Sequence, residues 1–161
     1  MVTETLNDAR SVSADSCIFC KIIRGEIPAK KVHDDKDVVA FLDINPANPG
    51  HTLVVPKKHA EDITKSSEED MAKAMHVVKK ISTLLKEKLN AIGVNVLQNN
   101  GKYAGQLVAH THFHVIPRYE NDMVVISYKR MQLSDAELEE IKKKLSAEEK
   151  KPSHRDFDLE F

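Results

Sequence analysis

Residues 105–118 read Gly-Gln-Leu-Val-Ala-His-Thr-His-Phe-His-Val-Ile-Pro-Arg, with a histidine at every second position from 110 to 114. Side chains two residues apart in a β-strand point to the same face of the sheet. The alternation therefore predicts a strand that carries His110, His112 and His114 on one face. The opposite face would carry a core stripe of Ala109, Thr111, Phe113 and Val115.

The histidine row has a simpler interpretation as the solvated face of a half-buried strand. Only eight of the 161 residues are histidine, however, and three of these fall within five positions. Imidazole is both a general acid or base and the commonest metal ligand. The row therefore indicates catalysis, metal binding or both.

Further strands are predicted before this stretch from short runs of strand-forming residues and turn signals. They lie near residues 31–35, 38–42, 51–55 and 94–98. A short helix is expected over 18–24. The pattern is α+β: a five-stranded, largely antiparallel sheet with one long and one or two short helices.

Two capping boxes mark the starts of the main helices. Ser66 with Glu69 predicts a long helix over about 67–89. Its apolar stripe would be Met71, Met75, Val78, Ile81 and Leu85. Ser134 with Glu137 predicts a terminal helix.

The composition is that of a soluble single domain, with a net charge of −1. This balance argues against nucleic acid and anionic membrane as partners, since both need a basic surplus. Residues 1–10 lack the apolar run of a signal peptide, so a cytoplasmic protein is expected. We expect a flexible tail over 1–15, a folded domain over 16–145 and a charged tail over 146–161.

The two cysteines, Cys17 and Cys20, form a Cys-x-x-Cys pair. Two such cysteines are half of a common structural zinc site, which would need two further ligands from distant histidines. Redox chemistry is the first alternative, but no strand precedes the pair as it does in thiol redox proteins. Two unpaired structural thiols are the second alternative.

The residues near the histidine row suit chemistry at phosphorus. Neutral imidazole is partly unprotonated near pH 7 and gives a labile adduct, so His112 is a candidate nucleophile. His114 beside it can donate to a phosphate oxygen, and the backbone at Gly101 and Gly105 offers further N–H groups. Asn99 would face the substrate, or would serve as a turn residue with positive φ.

The segment 105–118 resembles the signature of the histidine triad (HIT) family, His-φ-His-φ-His-φ-φ, in which φ is apolar. The resemblance continues through Cys-Ile-Phe-Cys-Lys-Ile-Ile at 17–23, Phe-Leu-Asp-Ile at 41–44 and Gly-His-Thr-Leu-Val-Val-Pro-Lys-Lys-His at 50–59. It covers about residues 17–120 in the expected order. Within the family it is similar to the Hint-type branch, the histidine triad nucleotide-binding proteins.

This resemblance implies a hydrolase that acts at the α-phosphate of purine nucleotide conjugates such as nucleoside 5′-phosphoramidates. His112 would be the nucleophile that forms a nucleotidyl-histidine intermediate. His114 would contact the phosphate, and His51 would orient the other histidines from behind. The bound nucleotide would be AMP or GMP, and no organic cofactor is expected.

The resemblance also implies a set of substrate-binding residues. Asp43 matches the acidic residue that binds the ribose hydroxyls. Asn99 and Gly105 match contacts on the phosphate side. The base pocket would be formed by Ile18, Phe19, Ile22, Phe41 and Ile44, although chemistry alone favours a simple core role for each.

In members of the family that carry the cysteine pair, the resemblance implies a structural Zn²⁺ ion held by two cysteines and two histidines. The matching residues are Cys17, Cys20, His59 and His110. A homodimer is also implied, with the long helix and the strand near 94–98 at its interface.

Two positions depart from the pattern of this branch. Leu107 stands where Ser or Thr usually offers a hydroxyl to the leaving-group side of the phosphate. Losing that contact would cost about 1–3 kcal/mol of transition-state stabilisation, roughly 10- to 100-fold in rate. Thr111 stands where an apolar residue is typical, which is a smaller change in a strand.

Three competing functions follow from these observations. The first is cleavage of dinucleoside polyphosphates, which substrate profiling would separate from phosphoramidate hydrolysis. The second, motivated by Leu107, is a purine-nucleotide-binding regulatory protein with weak catalysis. The third is thiol redox activity, which would require Cys17.

Overall fold

The computed structural model describes residues 13–146 of the chain. These residues divide into two compact units, one ending at Val124 and the other beginning at Val125. Most of each predicted tail, residues 1–12 and 147–161, lies outside the described residues, and the expected limits of the domain stay predictions. No helix of the described residues is long and apolar enough to cross a membrane.

The first unit is built on one five-stranded sheet. Its strands are β1 (Lys31–Asp34), β2 (Val38–Leu42), β3 (Thr52–Pro56), β4 (Gly93–Leu97) and β5 (Phe113–Arg118). They lie in the order β1-β2-β3-β5-β4, and every neighbouring pair is antiparallel. The predicted α+β class and antiparallel sheet are confirmed.

The two faces of the sheet are both apolar because the central strands alternate two sets of buried residues. One face packs against the long helix through Val38, Ala40, Val54, Phe113 and Val115. The other packs against the short helix through Val39, Phe41, Leu53 and Val55. Fully burying a valine or leucine side chain stabilises a fold by about 1.5–3 kcal/mol. This double burial therefore holds the sheet rigid beneath the histidines.

Between residues 13 and 124 the structure has two α-helices, α1 (Ile18–Ile23) and α2 (Glu68–Leu89). The predicted cap of α2 is wrong by one residue, because Ser67 accepts from the N–H of Asp70. Ser66 instead bonds to the Asp62 carbonyl and the Thr111 hydroxyl.

The predicted apolar stripe of α2 is also partly wrong. Met75 is 47% exposed, because the buried stripe runs through Ala74, one residue earlier on the helix. The members of that stripe are Ala74, Val77, Val78, Ile81 and Leu85.

In the second unit, the described residues 125–146 include one helix, α3 (Asp135–Leu145). Its predicted capping box is confirmed: the Ser134 hydroxyl accepts from the Glu137 N–H, and the Glu137 carboxylate accepts from the Ser134 N–H. Two orphan N–H groups of the helix start are thereby satisfied.

The prediction that all three histidines of the row lie in a strand is wrong for His110 and His112, since β5 begins only at Phe113. The β3–β5 ladder ends at the pair Val54 and Phe113. Two residues further along β3 lies Pro56, which has no N–H to donate to the ladder. The Thr111 N–H turns instead to the Ala60 carbonyl at 2.7 Å. The chain around His110 and His112 is therefore free to bend away from strand geometry.

Candidate active site and metal centre

The start of α1 brings both cysteines to two histidines. His110 Nδ1 lies 3.4 Å from Cys17 Sγ and 3.5 Å from Cys20 Sγ. His59 Nδ1 lies 3.4 Å from Cys20 Sγ and 3.2 Å from His110 Nδ1. A tetrahedral zinc ion with such ligands separates the ligand atoms by roughly 3.4–3.8 Å. The four side chains thus converge as a Cys₂His₂ zinc site requires.

The tautomer of His110 suits a metal ligand. Its Nε2 lies 2.8 Å from the Pro56 carbonyl oxygen and must donate to it, so Nδ1 carries the lone pair. That lone pair faces the two cysteines. Burial lowers the pKa of His110 to about 4, and burial together with Cys17 raises the pKa of the Cys20 thiol to about 11. A bound cation would counteract the thiol shift, because it favours the thiolate.

His112 has the opposite tautomer. Its Nδ1 lies 2.6 Å from the His110 carbonyl oxygen, so Nδ1–H donates and Nε2 carries the lone pair. The ring is 3% exposed and meets the Phe19 ring edge-to-face at 5.1 Å. Burial lowers the pKa of His112, so the neutral ring with a free Nε2 is favoured near pH 7. This is the state that a nucleophile requires.

His114 receives its tautomer through His51. The Ala47 N–H donates to His51 Nδ1 at 3.0 Å, so the proton of His51 resides on Nε2. That Nε2–H donates to His114 Nδ1 at 3.0 Å. The His114 Nε2 therefore carries a proton on the side of the ring opposite His51. Burial, followed by His112 and His51, lowers the pKa of His114 to about 4.

Asp43 follows β2 and completes the group behind the histidines. Its Oδ1 accepts from the Asn45 N–H at 2.9 Å, and its Oδ2 lies 3.7 Å from His51 Nε2. Asp43, His51 and His114 offer three ligand atoms within 4.8 Å of one another, as a cation site would. The His51–His114 contact, however, is an N–H···N hydrogen bond with a donor fixed by the backbone. We therefore interpret this group as a chain of hydrogen bonds that fixes which nitrogen of each histidine carries the proton.

A cavity of about 510 Å³ opens over this group. It is lined by every predicted substrate-binding residue: Ile18, Phe19, Ile22, Phe41, Asp43, Ile44, Asn99 and Gly105. His112 and His114 also line it, with ring centroids 5.0 Å apart. Ile44 is 90% exposed and stands at its rim. His51 does not line the cavity but lies beside two residues that do, His114 and Asp43.

The structure gives the surroundings of Asn99, Thr111 and Leu107, the three positions whose roles the sequence left open. Asn99 does not adopt positive φ, whereas Asn90 and Asn121 do, so Asn99 is not the turn residue of the alternative interpretation. Thr111 is fully buried, and its hydroxyl bonds to Ser66 and to the Ala60 carbonyl. Leu107 is 95% exposed and lines the cavity.

Sequence reasoning missed several cavity residues and the three backbone groups that set the histidine tautomers. Leu53, Leu97 and Ile116 line the cavity, and their strand alternation was a usable signal. The Pro56 carbonyl, the His110 carbonyl and the Ala47 N–H set the histidine tautomers. Backbone groups are present at every residue, so no sequence pattern identifies these three.

Comparison with known proteins places this arrangement in a family. The HIT domain profile matches residues 24–121. A HIT-like protein of Methanocaldococcus jannaschii is 50% identical over 129 residues, which is 80% of this chain and 98% of that protein. The adenosine 5′-monophosphoramidase hnt1 of Schizosaccharomyces pombe is 46% identical over 103 residues, 64% of this chain and 74% of the relative. The chain belongs to the HIT domain family.

Solved structures agree with the fold. A HIT family protein from Bacillus anthracis superposes with a TM-score of 0.78 at 45% identity, covering 83% of this chain and 96% of that one. A zinc-bound histidine triad family protein from Mycobacterium smegmatis superposes with a TM-score of 0.67 at 38% identity, covering 73% and 85%.

Proposed function

We propose that the protein hydrolyses purine nucleoside 5′-phosphoramidates at the α-phosphorus through a nucleotidyl intermediate on His112. The observation that carries the proposal is the hydrogen bond from His112 Nδ1–H to the His110 carbonyl at 2.6 Å. It leaves a neutral imidazole lone pair on Nε2, on a residue that lines a nucleotide-sized cavity. The relative in S. pombe named adenosine 5′-monophosphoramidase supports the same substrate class.

The reaction has two balanced steps. In the first, His112 Nε2 bonds to phosphorus while the P–N bond breaks, and the departing nitrogen keeps the electron pair and takes up a proton. In the second, a water oxygen bonds to phosphorus, the Nε2–P bond returns its electron pair to Nε2, and the water releases a proton. The products are a nucleoside monophosphate and an amine.

Other residues would bind the substrate and orient the nucleophile. The His114 Nε2–H would donate to a non-bridging phosphate oxygen, and this bond strengthens as charge develops. His51 would keep that proton on Nε2. Asp43 would accept hydrogen bonds from the ribose diol. The base would lie among apolar side chains under α1, as a planar aromatic ring requires.

The zinc site would act as a structural clip. Cys17 and Cys20 lie at the start of α1, whereas His110 lies just before His112, so an ion held by Cys17, Cys20, His59 and His110 would join the wall of the cavity to the nucleophile. The converging side chains and the zinc-bound relative from M. smegmatis support this assignment. The ion would stabilise the fold and would neutralise the negative charge of the two cysteine thiolates.

We further propose a homodimer in a reducing, cytoplasmic compartment. β4 is an edge strand, and Val96 on it and Ile92 just before it are exposed. An unpaired edge with apolar residues is a template for pairing with a second chain. Light scattering should give twice the 18.1 kDa chain mass, and Val96→Glu should shift the protein to the monomer. A wild-type monomer would contradict this part of the proposal.

The cavity chemistry argues against dinucleoside polyphosphates as the main substrate. Among the described residues, no lysine or arginine lines the cavity, and Asp43 is the charged residue that does. Extra phosphates beyond the α-phosphate would therefore meet no compensating cation.

A regulatory nucleotide-binding protein is the second candidate, because Leu107 offers no hydrogen bond to the leaving group.

The decisive experiment is rapid-quench mass spectrometry with adenosine 5′-phosphoramidate. Wild-type protein should carry an AMP adduct that His112→Ala lacks, and it should release AMP. His33→Ala is the control, because His33 lies on β1, bonds to Asp35 and does not line the cavity. AMP binding with neither adduct nor turnover would favour the regulatory candidate.

A further inference from the structure

Gln106 is a partly buried residue at the end of an exposed loop that leads to the histidines. Residues 101–105 are all exposed, and they include one 3₁₀ turn, Lys102–Ala104. The Gln106 side chain does not line the cavity, although Gly105 before it and Leu107 after it do. Any effect of Gln106 on the site must therefore act through the residues that it holds in place.

The side-chain amide of Gln106 makes three hydrogen bonds. Its Oε1 accepts from the Gly101 N–H at 2.6 Å. Its Nε2 donates to the Glu61 carbonyl at 2.6 Å and to the Val108 carbonyl at 2.9 Å. Because two partners are acceptors and the third is a donor, the amide has one orientation that satisfies all three. The side chain thus ties the loop to two other segments of the chain.

Both of these segments hold the backbone around the nucleophile. The Val108 carbonyl also accepts from the His110 N–H at 2.8 Å, and the His110 carbonyl accepts from His112 Nδ1. The other partner carbonyl follows directly after Ala60, whose own carbonyl accepts from the Thr111 N–H at 2.7 Å. The Gln106 amide is therefore connected to the chain on both sides of residue 111.

The loop needs such a connection because its own backbone is permissive. Gly101 and Gly105 both have a φ of 82°, and glycine moves between backbone conformations at little cost. The exposed residues between them bury little surface that could fix the loop. The three bonds of Gln106 instead hold the loop against the rest of the fold.

The loop presents a side-chain amide, and not its backbone, to the phosphate side of the cavity. The sequence predicts N–H donors at Gly101 and Gly105, and this prediction is wrong. The Gly101 N–H is bound to Gln106, and the Gly105 N–H donates to the Lys102 carbonyl at 3.1 Å. Asn99 lines the cavity, and its Nδ2 would lie 3.8 Å from a Cβ added at Gly105. The Asn99 amide thus lies against Gly105 and can donate to a phosphate oxygen.

We infer that Gln106 is a positioning residue that fixes the distance between the Asn99 amide and His112 Nε2 without contacting the substrate. The inference rests on the proposed function, since it concerns the approach of this nucleophile to the α-phosphorus. Such an approach is sensitive to small displacements, and an error of about 1 Å can cost about 100-fold in rate. Gln106 holds the loop and the nucleophile in one register, so its loss should affect the reaction more than binding.

The test is Gln106→Met, which keeps the approximate length of the side chain and removes the three amide bonds. With adenosine 5′-phosphoramidate, we expect kcat to fall about 10- to 100-fold and KM to rise no more than about threefold. Rapid-quench measurement of the AMP adduct should show the same loss in the rate of adduct formation. An unchanged kcat in Gln106→Met would overturn the inference.

A second variant tests the donor end of the amide. Gln106→Glu keeps an acceptor for the Gly101 N–H, but its carboxylate offers no donor to the two carbonyls. It should be at least as slow as Gln106→Met. Wild-type kcat in Gln106→Glu would overturn the inference, because the connection to the two carbonyls would then be dispensable.

The matched control is Asn95→Ala. It also removes a partly buried amide, which accepts from Arg118 at 2.7 Å and does not line the cavity. The midpoint of thermal unfolding should fall in this variant and in Gln106→Met, whereas kcat should fall only in Gln106→Met. Equal losses of kcat would show that Gln106 acts only through stability, and would overturn the inference.

A binding measurement separates this inference from the proposed function. Calorimetry gives the dissociation constants of adenosine and AMP, and their ratio reports the contacts to the phosphate. Gln106→Met should bind adenosine as wild type does, and its preference for AMP should fall about threefold. If wild type forms no adduct and releases no AMP, the proposed function fails and this ratio decides the inference. A reduced preference for AMP would support it, and an unchanged preference would overturn it.

Discussion

The side-chain amide of Asn48 lies 2.9 Å from the Asp122 carboxylate and donates to it, which ties the loop before β3 to the turn after β5. The same amide donates to the Pro117 carbonyl at 2.9 Å. Arg118 holds Asp122 with two bonds, and together with the Tyr119 N–H they keep the pKa of Asp122 far below its usual range. This clamp fixes the loop whose Ala47 N–H sets the tautomer of His51.

Asn48→Ala should therefore impair catalysis without touching the cavity. Freeing the loop weakens the Ala47–His51 bond, so the His114 proton is no longer held on Nε2. We expect kcat to fall about tenfold with a smaller change in KM, and stability to fall by about 1–2 kcal/mol.

Asn95→Ala is the control for this clamp, because Asn95 accepts from Arg118 at 2.7 Å but has no bond to the loop. It should lower stability by a similar amount and leave kcat near the wild-type value. Equal losses of kcat in the two variants would show that the clamp acts only through stability.

Acid should destabilise the fold through His114. Its pKa is about 4 in the folded protein, against 6.5 for an unperturbed histidine, so the unfolded chain binds more protons between these values. The contribution of neutral His114 to the free energy of unfolding is complete above about pH 6.5 and is lost as the pH falls towards about 4. Urea denaturation at about pH 7.5 and 5 measures it. His114→Gln should lose about 1 kcal/mol less than wild type over this interval, and identical losses would contradict the assignment.

Removal of the proposed zinc ion should loosen α1. A chelator, or the Cys20→Ser substitution, should release the ion. Because the ion would bind only the folded state, its loss should lower the free energy of unfolding by about 2–4 kcal/mol. Metal analysis should find one zinc per chain in wild type and in His33→Ala, and none in Cys20→Ser. Full zinc content in Cys20→Ser would exclude the Cys17, Cys20, His59 and His110 site.

Asp43→Asn should weaken recognition of the ribose. An amide donates as well as accepts and is uncharged, so the dissociation constant of AMP should rise about tenfold, or about 1.4 kcal/mol. Wild type should bind 2′-deoxy-AMP more weakly than AMP, and the variant should bind both alike. Calorimetry measures the four constants. A variant that still distinguishes the two nucleotides would show that another residue contacts the 2′-hydroxyl.

The sequence by itself determined the sheet, the helices and the chemical type of the site. Short apolar runs at 38–42 and 51–55, bounded by turn residues, predict buried strands, and the alternation of histidine at 110–114 predicts the strand that follows. The seven-residue core of the HIT signature pointed to phosphorus chemistry, and the resemblance supplied the residues that line the cavity. These features depend on residues that are close together in the chain, so periodicity and motif spacing are sufficient to predict them.

Tertiary structure decided the features that depend on distant segments. Pro56 ends the β3 ladder opposite Thr111, which places His110 and His112 outside the strand that their spacing predicted. His112 and His114 differ in tautomer because one donates to a carbonyl two residues away and the other accepts from His51, 63 positions away in the chain. Proton positions on an imidazole follow from its hydrogen-bond partners, and only folding brings those partners together.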